Sequence, residues 1–249
     1  MSAEPTPPAP TELAAMHPRP ALSGPTSPTP LYWVLRAFVR VIVAVLLFRK
    51  LHVEGEAGVP REGGLLVVSN HIASADPPLL GGMFPRPLHF MAKVEWFSGS
   101  GLVAFLARQF LCYPVVRESA DRPALKYTLN LLEKGQAVCI YPEGTRAMDH
   151  RLHQAKAGPG FVARHSGVPI VPVAVWGTEQ VMPKGRRFPV RAECHLVYGP
   201  PFHLPENLMD NQDAADYMLR KVADLLPPGY RGVYGEEPAG EHAEVLKAV

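Results

Sequence analysis

The chain has 249 residues, 47% of them hydrophobic, which is enough for one large domain with its own core. The formal net charge of +2 is too small to indicate a nucleic-acid partner. The three cysteines (Cys112, Cys139 and Cys194) are widely spaced, which disfavours a disulfide framework or a zinc site and fits a reducing compartment.

Nine of the first 30 residues are proline, interspersed with Thr, Ser and Ala. Such a segment buries too little apolar surface to offset the entropy of ordering it, so residues 1–30 are predicted to form a disordered leader. The basic start and apolar core of a secretory signal are not found in it.

An apolar segment follows at residues 31–48, and Arg49 and Lys50 end it. As a helix it would be about 27 Å long, but Arg36 and Arg40 are four residues apart and argue against a simple transmembrane span. We predict that residues 31–50 form a membrane-associating helix that lies in the interface, with its arginines reaching lipid phosphates. A core helix and a true span are the alternatives.

Short apolar runs then alternate with helical stretches over residues 51–226, which predicts one α/β domain. The predicted fold is a mixed, largely parallel central sheet flanked by helices and preceded by the N-terminal helix. Two prolines in the apolar run 168–175 suggest an edge strand or a bulge. Residues 227–249 are rich in Gly, Pro and Glu, so we expect this tail to be poorly ordered. Predicted strands cover residues 64–69, 88–91, 112–116, 136–141, 168–175 and 192–198, and predicted helices cover 101–110, 121–134, 158–165 and 213–226, with another opening at Asp76.

Two polar clusters follow apolar runs. His71 comes just after the strand that ends at Ser69, and Asp76 follows five residues later at a helix start. A carboxylate that hydrogen-bonds one ring nitrogen of a histidine fixes its tautomer and lets the other nitrogen take a proton from a substrate hydroxyl. Capping of the helix would also account for Asp76.

The second cluster, Glu143-Gly144-Thr145-Arg146, follows the strand that ends at Tyr141. It lies near His71 if the two strands are neighbours in the sheet. The planar guanidinium of Arg146 suits a phosphate, and further cationic candidates at similar places are Arg117, Lys93 and Lys156.

Over roughly residues 50–200 the chain resembles the PlsC-like glycerolipid acyltransferases. The matching motifs are Asn70-His71-(x4)-Asp76, Pro114-Val115-Val116-Arg117, Tyr141-Pro142-Glu143-Gly144-Thr145-Arg146 and Val168-Pro169-Ile170-Val171-Pro172-Val173, in that order. Two departures are mild: Tyr141 stands where Phe is usual, and Val116 where an Asp often precedes the Arg.

The resemblance implies that His71 is the catalytic base and Asp76 its partner, that Arg117 helps to hold the glycerol phosphate, and that Glu143 and Arg146 bind the acceptor. The fourth motif would shape the site and the acyl region. It further implies acyl-CoA or acyl-carrier protein as co-substrate, a lysophospholipid acceptor, no metal or other cofactor, and action at the cytoplasmic face of the membrane as a peripheral or monotopic protein.

The predicted function is therefore acyl transfer to the free hydroxyl of a lysophospholipid, foremost 1-acyl-sn-glycerol-3-phosphate, to give phosphatidic acid. Another lysophospholipid or a glycolipid acceptor is one alternative. A second alternative is hydrolysis or acyl transfer through a covalent intermediate on Ser74 or Cys139, and a third is a non-catalytic lipid-binding protein. An intact His71–Asp76 pair argues against the third, because a binding protein has no need of a base.

Overall fold

A computed structural model of the chain describes residues 27–42, 48–97, 101–116, 121–182, 186 and 188–235. Its centre is one seven-stranded sheet in the order β1-β7-β6-β2-β5-β3-β4. Strands β2 to β6 run parallel to one another, whereas β7 is antiparallel to β6, and β1 is parallel to β7. The strands are β1 Phe48–Glu54, β2 Leu65–Ser69, β3 Leu88–Lys93, β4 Cys112–Val115, β5 Ala137–Ile140, β6 Ile170–Trp176 and β7 Ala192–Tyr198.

Helices cover both faces of the sheet, as the alternating sequence pattern predicts. They are α1 Pro30–Ile42, α2 Asp76–Met83, α3 Leu102–Gln109, α4 Arg122–Glu133, α5 Ala157–Ser166 and α6 Asn211–Ala223. Leu79 and Leu80 of α2 join one core cluster with alternate side chains of the central strands. On the opposite face, α4, α5 and α6 contribute residues such as Leu131, Val162 and Met218 to a second cluster. The predicted fold class is confirmed.

The central strands are fully buried because their sequences are continuous apolar runs, which is typical of parallel strands covered on both faces. The prediction that 168–175 is an edge or bulged strand is wrong. Strand β6 lies between β7 and β2 at the centre of the sheet. Pro169 lies before the first residue of the strand. Pro172 has no N–H to donate, but its carbonyl accepts the N–H of Gly199 at 2.8 Å, so it keeps one backbone hydrogen bond inside the sheet.

The N-terminal helix differs from its prediction at both ends. It begins at Pro30, with the Thr29 hydroxyl accepting the N–H of Tyr32, so the predicted leader ends earlier than residue 30. In the described chain the helix ends at Ile42, and Phe48 already begins β1, so the predicted extension of the helix to residue 50 is wrong. Residues 50–54 alternate between polar and apolar types, which suits an edge strand paired with β7.

Arg36 also departs from prediction. Its guanidinium is buried and donates to the carbonyls of Gly81 and Phe84 at the end of α2, instead of reaching outward to lipid phosphates. The described part of α1 therefore turns an arginine toward the protein and apolar side chains outward. No helix among the described residues is long and apolar enough to span a bilayer.

The predicted disorder of the tail is wrong for residues 227–235. Two short 3-10 helices, Pro228–Tyr230 and Gly232–Tyr234, pack against the loop around Leu152. The N–H of Leu152 bonds the carbonyl of Tyr230, and the Tyr234 hydroxyl accepts the N–H of Ala155 while donating to Asp216. These local bonds order a segment that its composition alone describes as a loop. Residues 1–26 and 236–249, to which the rest of the leader and tail predictions refer, lie outside the described chain.

Candidate active site

The candidate site forms where three adjacent parallel strands end. Strand β2 lies between β6 and β5, and all three run in the same direction, so the loops after them meet at one edge of the sheet. His71 follows β2, Glu143 follows β5 and Thr178 follows β6. This is the edge at which open α/β sheets bind ligands.

His71 and Asp76 form a buried pair. The Nδ1 atom of His71 lies 2.8 Å from Oδ2 of Asp76, and neither side chain is appreciably exposed. A carboxylate only accepts hydrogen bonds, so Nδ1 carries the proton and Nε2 has a free lone pair in the neutral ring. The predicted orientation of the imidazole by Asp76 is therefore present in the fold.

The Asp76 carboxylate is also the centre of the loop that carries His71. Its Oδ2 atom accepts the backbone N–H groups of Ile72 and Ala73, each at 2.8 Å, and its Oδ1 accepts the hydroxyl of Thr178 at 2.5 Å. The residue that precedes α2 is Ala75, and no side chain caps this helix. Asp76 thus points back into the loop, so capping does not explain it.

Asn70 fixes the preceding residue to the neighbouring strand. Its side-chain amide donates to the carbonyl of Val175 at 2.7 Å and accepts the N–H of Val175 at 2.8 Å. These two bonds continue the β2–β6 pairing by one position beyond the end of β2. His71 therefore leaves the sheet from an anchored residue.

Glu143 joins the two polar clusters, as the sequence predicts for neighbouring strands. One carboxylate oxygen accepts the backbone N–H of His71 at 3.2 Å, and the other accepts that of His153 at 3.0 Å. Burial raises the pKa of Glu143 to about 7, although both backbone N–H groups act to lower it. Both oxygens of Glu143 are thus engaged with the protein backbone.

Tyr141 and Cys139 belong to the core under the site. The Tyr141 ring stacks on the His71 ring with a centroid separation of 4.3 Å, an aromatic role that the usual Phe would also fill. Cys139 is buried in β5, and burial raises the pKa of its thiol far above the ordinary value. A deeply buried neutral thiol is a poor nucleophile.

Two cavities lie at the site, one bordered by His71 and the other by the loop of residues 72–75. The first, about 370 Å³, is bordered by His71 and has mostly apolar walls with Lys156 at its margin. The second, about 710 Å³, is bordered by the loop itself and by Arg146, whose Nη1 donates to the Ser74 hydroxyl at 2.6 Å. The first cavity is lined by His71, Met91, Val115, Val116, Asp121, Leu125, Ile140, Tyr141, Pro142, Gly144, Lys156, Gly158 and Pro159.

The remaining predicted residues are distributed unevenly. Gly144 has φ +73°, a conformation that favours glycine in this turn, and the flexible side chain of Lys156 packs over it. Thr145 is exposed between Gly144 and Arg146. Lys93 pairs with Glu95 at 2.9 Å and borders neither of these two cavities. Arg117 lies outside the described residues.

Thr178 and Asn70 have structural roles at the site that sequence reasoning did not assign. Asn70 belongs to the first motif, and its polar amide next to a buried run is the signal that the sequence offers. Thr178 is buried and lies 102 residues from its partner Asp76, in a Gly-Thr-Glu sequence without any distinguishing spacing. Only the strand order brings it to the site.

Comparison with known proteins agrees with this architecture. The family model described as Acyltransferase matches residues 50–176, which is just over half of the chain. A 1-acyl-sn-glycerol-3-phosphate acyltransferase of Bacillus subtilis is 29% identical over 152 residues, covering 61% of this chain and 73% of that protein. A probable 1-acyl-sn-glycerol-3-phosphate acyltransferase of Mycoplasma pneumoniae is 26% identical over 189 residues and covers 70% of both chains.

Among solved structures, the 1-acyl-sn-glycerophosphate (LPA) acyltransferase PlsC of Thermotoga maritima has the same fold, with a TM-score of 0.61 and 24% identity. The match covers 78% of this chain and 81% of that one. Fold and site together define an α/β enzyme with its site at the carboxyl edge of a parallel sheet. The chain belongs to the Acyltransferase family, in its PlsC-like branch, and is an acyltransferase.

Proposed function

We propose that the chain transfers a fatty acyl group from acyl-CoA or acyl-carrier protein to the free hydroxyl of 1-acyl-sn-glycerol-3-phosphate, giving phosphatidic acid in phospholipid synthesis. The observation that carries the proposal is the buried His71–Asp76 pair at the edge of a cavity with apolar walls. The similarity to 1-acyl-sn-glycerol-3-phosphate acyltransferases supports the choice of acceptor.

In the proposed mechanism, Nε2 of His71 takes the proton from the acceptor hydroxyl as its oxygen attacks the thioester carbonyl. Asp76 stabilises the imidazolium that forms. The C–S bond of the thioester then breaks, and the leaving thiolate takes the proton from the imidazolium, which restores neutral His71. The ester forms directly, with no acyl-enzyme.

Two observations favour direct transfer over a covalent intermediate. Cys139 is buried as a neutral thiol, and the Ser74 hydroxyl is bonded to Arg146 rather than to a base. Intact-mass spectrometry after mixing with acyl-CoA alone tests this point, since an acyl-enzyme would add the mass of the acyl group.

The apolar cavity beside His71 is the proposed acyl site. Strand β6, which the resemblance links to the acyl region, has its side chains buried in the sheet. The cavity walls instead come from residues such as Met91, Val115 and Leu125. The reaction is tested by release of free thiol from acyl-CoA with lysophosphatidate, and the acceptor by comparison with lysophosphatidylcholine and glycerol 3-phosphate.

Arg146 is proposed to bind the acceptor phosphate. One N–H of its guanidinium donates to the Ser74 hydroxyl, and the other N–H groups can donate to a phosphate in the second cavity. We expect Arg146→Ala to raise the KM for lysophosphatidate by about 10- to 100-fold, because a hydrogen bond between charged groups is lost. Steady-state kinetics at saturating acyl-CoA measure it.

Arg151→Ala is the matched control, because Arg151 is an exposed arginine on the same loop that borders neither of these two cavities. An equal rise of KM in both variants would contradict the assignment, since general charge would then explain it. Arg117, Lys93 and Lys156 stay as further candidate phosphate ligands, together with Gly144 and Thr145 of the same loop.

Glu143 is proposed to position His71 rather than to bind the acceptor, since its two oxygens already hold two loops. A glutamine has one accepting oxygen and an N–H₂ that cannot accept, so Glu143→Gln leaves one backbone N–H unpaired. We expect a loss of about 1–3 kcal/mol in the free energy of unfolding and a lower kcat with an unchanged acceptor KM. Urea unfolding and steady-state kinetics measure the two effects.

The effect on stability has a pH signature. The folded-state pKa of about 7 is above the ordinary value, so the contribution of the wild-type carboxyl is fully present at low pH and is lost as pH rises through 7. The difference in the free energy of unfolding between wild type and Glu143→Gln should therefore decrease as pH rises from about 5 to about 8. The control for the pH dependence is Glu133→Gln, at an exposed position of α4. In the kinetic measurement, a raised acceptor KM in Glu143→Gln would contradict the positioning role and favour direct binding of the acceptor.

The outward face of α1 is proposed to lie on the membrane surface from which the lipid acceptor comes. This face exposes Trp33, Val34, Phe38 and Val41. Thr29, the residue before the helix, donates a hydrogen bond from its hydroxyl to Gln109 at the end of α3. Helix α3 also carries exposed apolar side chains, among them Leu102 and Phe105. An amphipathic helix with such a face binds at the lipid–water interface.

We expect Phe38→Glu to lower the fraction of protein that sediments with phosphatidylglycerol vesicles, because a charge replaces apolar area at the interface. Phe38 is 61% exposed, and Phe188, outside α1 and α3, is 79% exposed, which makes Phe188→Glu the matched control. Equal sedimentation of wild type and Phe38→Glu would count against the membrane face.

A further inference from the structure

The outer edge of the sheet carries a second cluster of titratable side chains. His52 of β1 and His195 of β7 are register partners in the parallel strand pair. Glu193 precedes His195 by two residues, so its side chain is on the same face of the sheet. None of the three borders either cavity at the candidate active site, and β6 and β7 separate His52 from β2.

The three side chains are already close. The Nε2 atom of His52 lies 2.8 Å from Oε1 of Glu193, and one ligand atom from each residue lies within 4.8 Å of the other two. The rings of His52 and His195 stack with centroids 4.4 Å apart and planes inclined by 3°. Trp176 of β6 stacks on the other side of His195 at 4.5 Å, which fixes the plane of that ring.

We propose that His52, Glu193 and His195 bind a borderline divalent ion of the first transition row, such as Zn²⁺. Two imidazoles and one carboxylate are a ligand set that this class of ion prefers, and three protein ligands leave one position for water. Glu193 and the histidines are partly exposed, so an ion can enter from solvent.

Binding requires one adjustment of the side chains. The nitrogen lone pairs lie in the planes of the two rings, and these planes are parallel, so one ring must turn until both lone pairs converge on the ion. His52 lies at the outer end of the stack on the edge strand and is the ring that turns, while Trp176 holds His195. The ion then replaces the proton shared between His52 and Glu193.

Such an ion would fasten the edge strand to the rest of the sheet, because β1 and β7 each supply ligands. Its role is structural and independent of acyl transfer. Sequence spacing does not indicate the site, since 141 residues separate His52 from Glu193 and only the β1–β7 pairing joins them. The expectation of no zinc site rests on the cysteines, and the expectation of no metal rests on the resemblance to acyltransferases, so neither was drawn from these three residues.

The test is isothermal titration of the untagged, EDTA-treated full chain with Zn²⁺. We expect one saturable site, with affinity reduced about tenfold or more in His52→Gln, Glu193→Gln and His195→Gln. The control is His153→Gln: His153 lies 2.8 Å from Asp149 in an exposed pair, which is the same kind of contact without a third ligand within the described residues.

Co²⁺ gives a second measurement, because a His₂Glu site should produce visible d–d absorption that Zn²⁺ abolishes. Circular dichroism checks that each variant is folded, and Glu193→Gln, at an exposed position, keeps the test valid if a histidine variant fails to fold. Absence of stoichiometric binding by the wild-type chain overturns the proposal. So does binding that the three replacements leave unchanged, or that His153→Gln weakens as much as they do.

Discussion

Replacement of His71 by alanine is expected to lower kcat for thiol release from acyl-CoA in the presence of lysophosphatidate by about 10²–10⁴-fold. The imidazole is the group whose Nε2 is available at the cavity while Nδ1 is held by Asp76. Without it, the acceptor hydroxyl has to lose its proton to water as it attacks. Continuous detection of free thiol measures the rate.

His165→Ala is the control, because His165 is an exposed histidine on α5 that borders neither cavity. Alanine at 71 also removes a ring that stacks on Tyr141, so urea unfolding must accompany the kinetics. Equal thiol release by folded His71→Ala and wild type would exclude His71 as the base.

Replacement of Asp76 by asparagine removes the charge while largely keeping the hydrogen bonds. The amide oxygen can accept from His71, Ile72 and Ala73, and the amide N–H₂ can donate to the Thr178 hydroxyl, which is also an acceptor. The imidazolium would lose its counter-charge, so we expect kcat to fall by about 10³–10⁴-fold in a chain that remains folded. The same thiol assay and a urea unfolding curve measure both properties.

Asp224→Asn, at an exposed position at the end of α6, controls for loss of a carboxylate elsewhere. A kcat within about tenfold of wild type in Asp76→Asn would mean that Asp76 only shapes the loop. Activity and stability lost in proportion would lead to the same conclusion.

The central part of the fold was predictable because its signals are local. Continuous apolar runs mark β2, β5 and β6, and the loops after them carry the polar residues that chemistry needs. His71 and Asp76 are five residues apart, so a tight loop is enough to join them. Once β2 and β5 are neighbours, the contact between His71 and Glu143 follows from parallel geometry.

The wrong predictions come from features set by distant partners. The prolines of β6 suggested an edge, but strand order put that strand at the centre. Arg36 was expected outside, but carbonyl groups at the end of α2 offer it a buried site. The donor role of Thr178 was equally invisible, because nothing near it in sequence indicates its contact with Asp76. Tertiary pairing decides each of these.

The contact between Thr178 and Asp76 also fixes when the site can be completed during synthesis. Residues 70–76 leave the ribosome about 100 residues before Thr178. The side chain of Asn70 likewise cannot form its hydrogen bonds with Val175 until that residue has been made. Until β6 has been made and paired with β2, one oxygen of the Asp76 carboxylate lacks its donor and the His71 loop lacks its anchor. A nascent chain that ends before residue 170 therefore has the sequence of the His–Asp pair but not its supporting contacts.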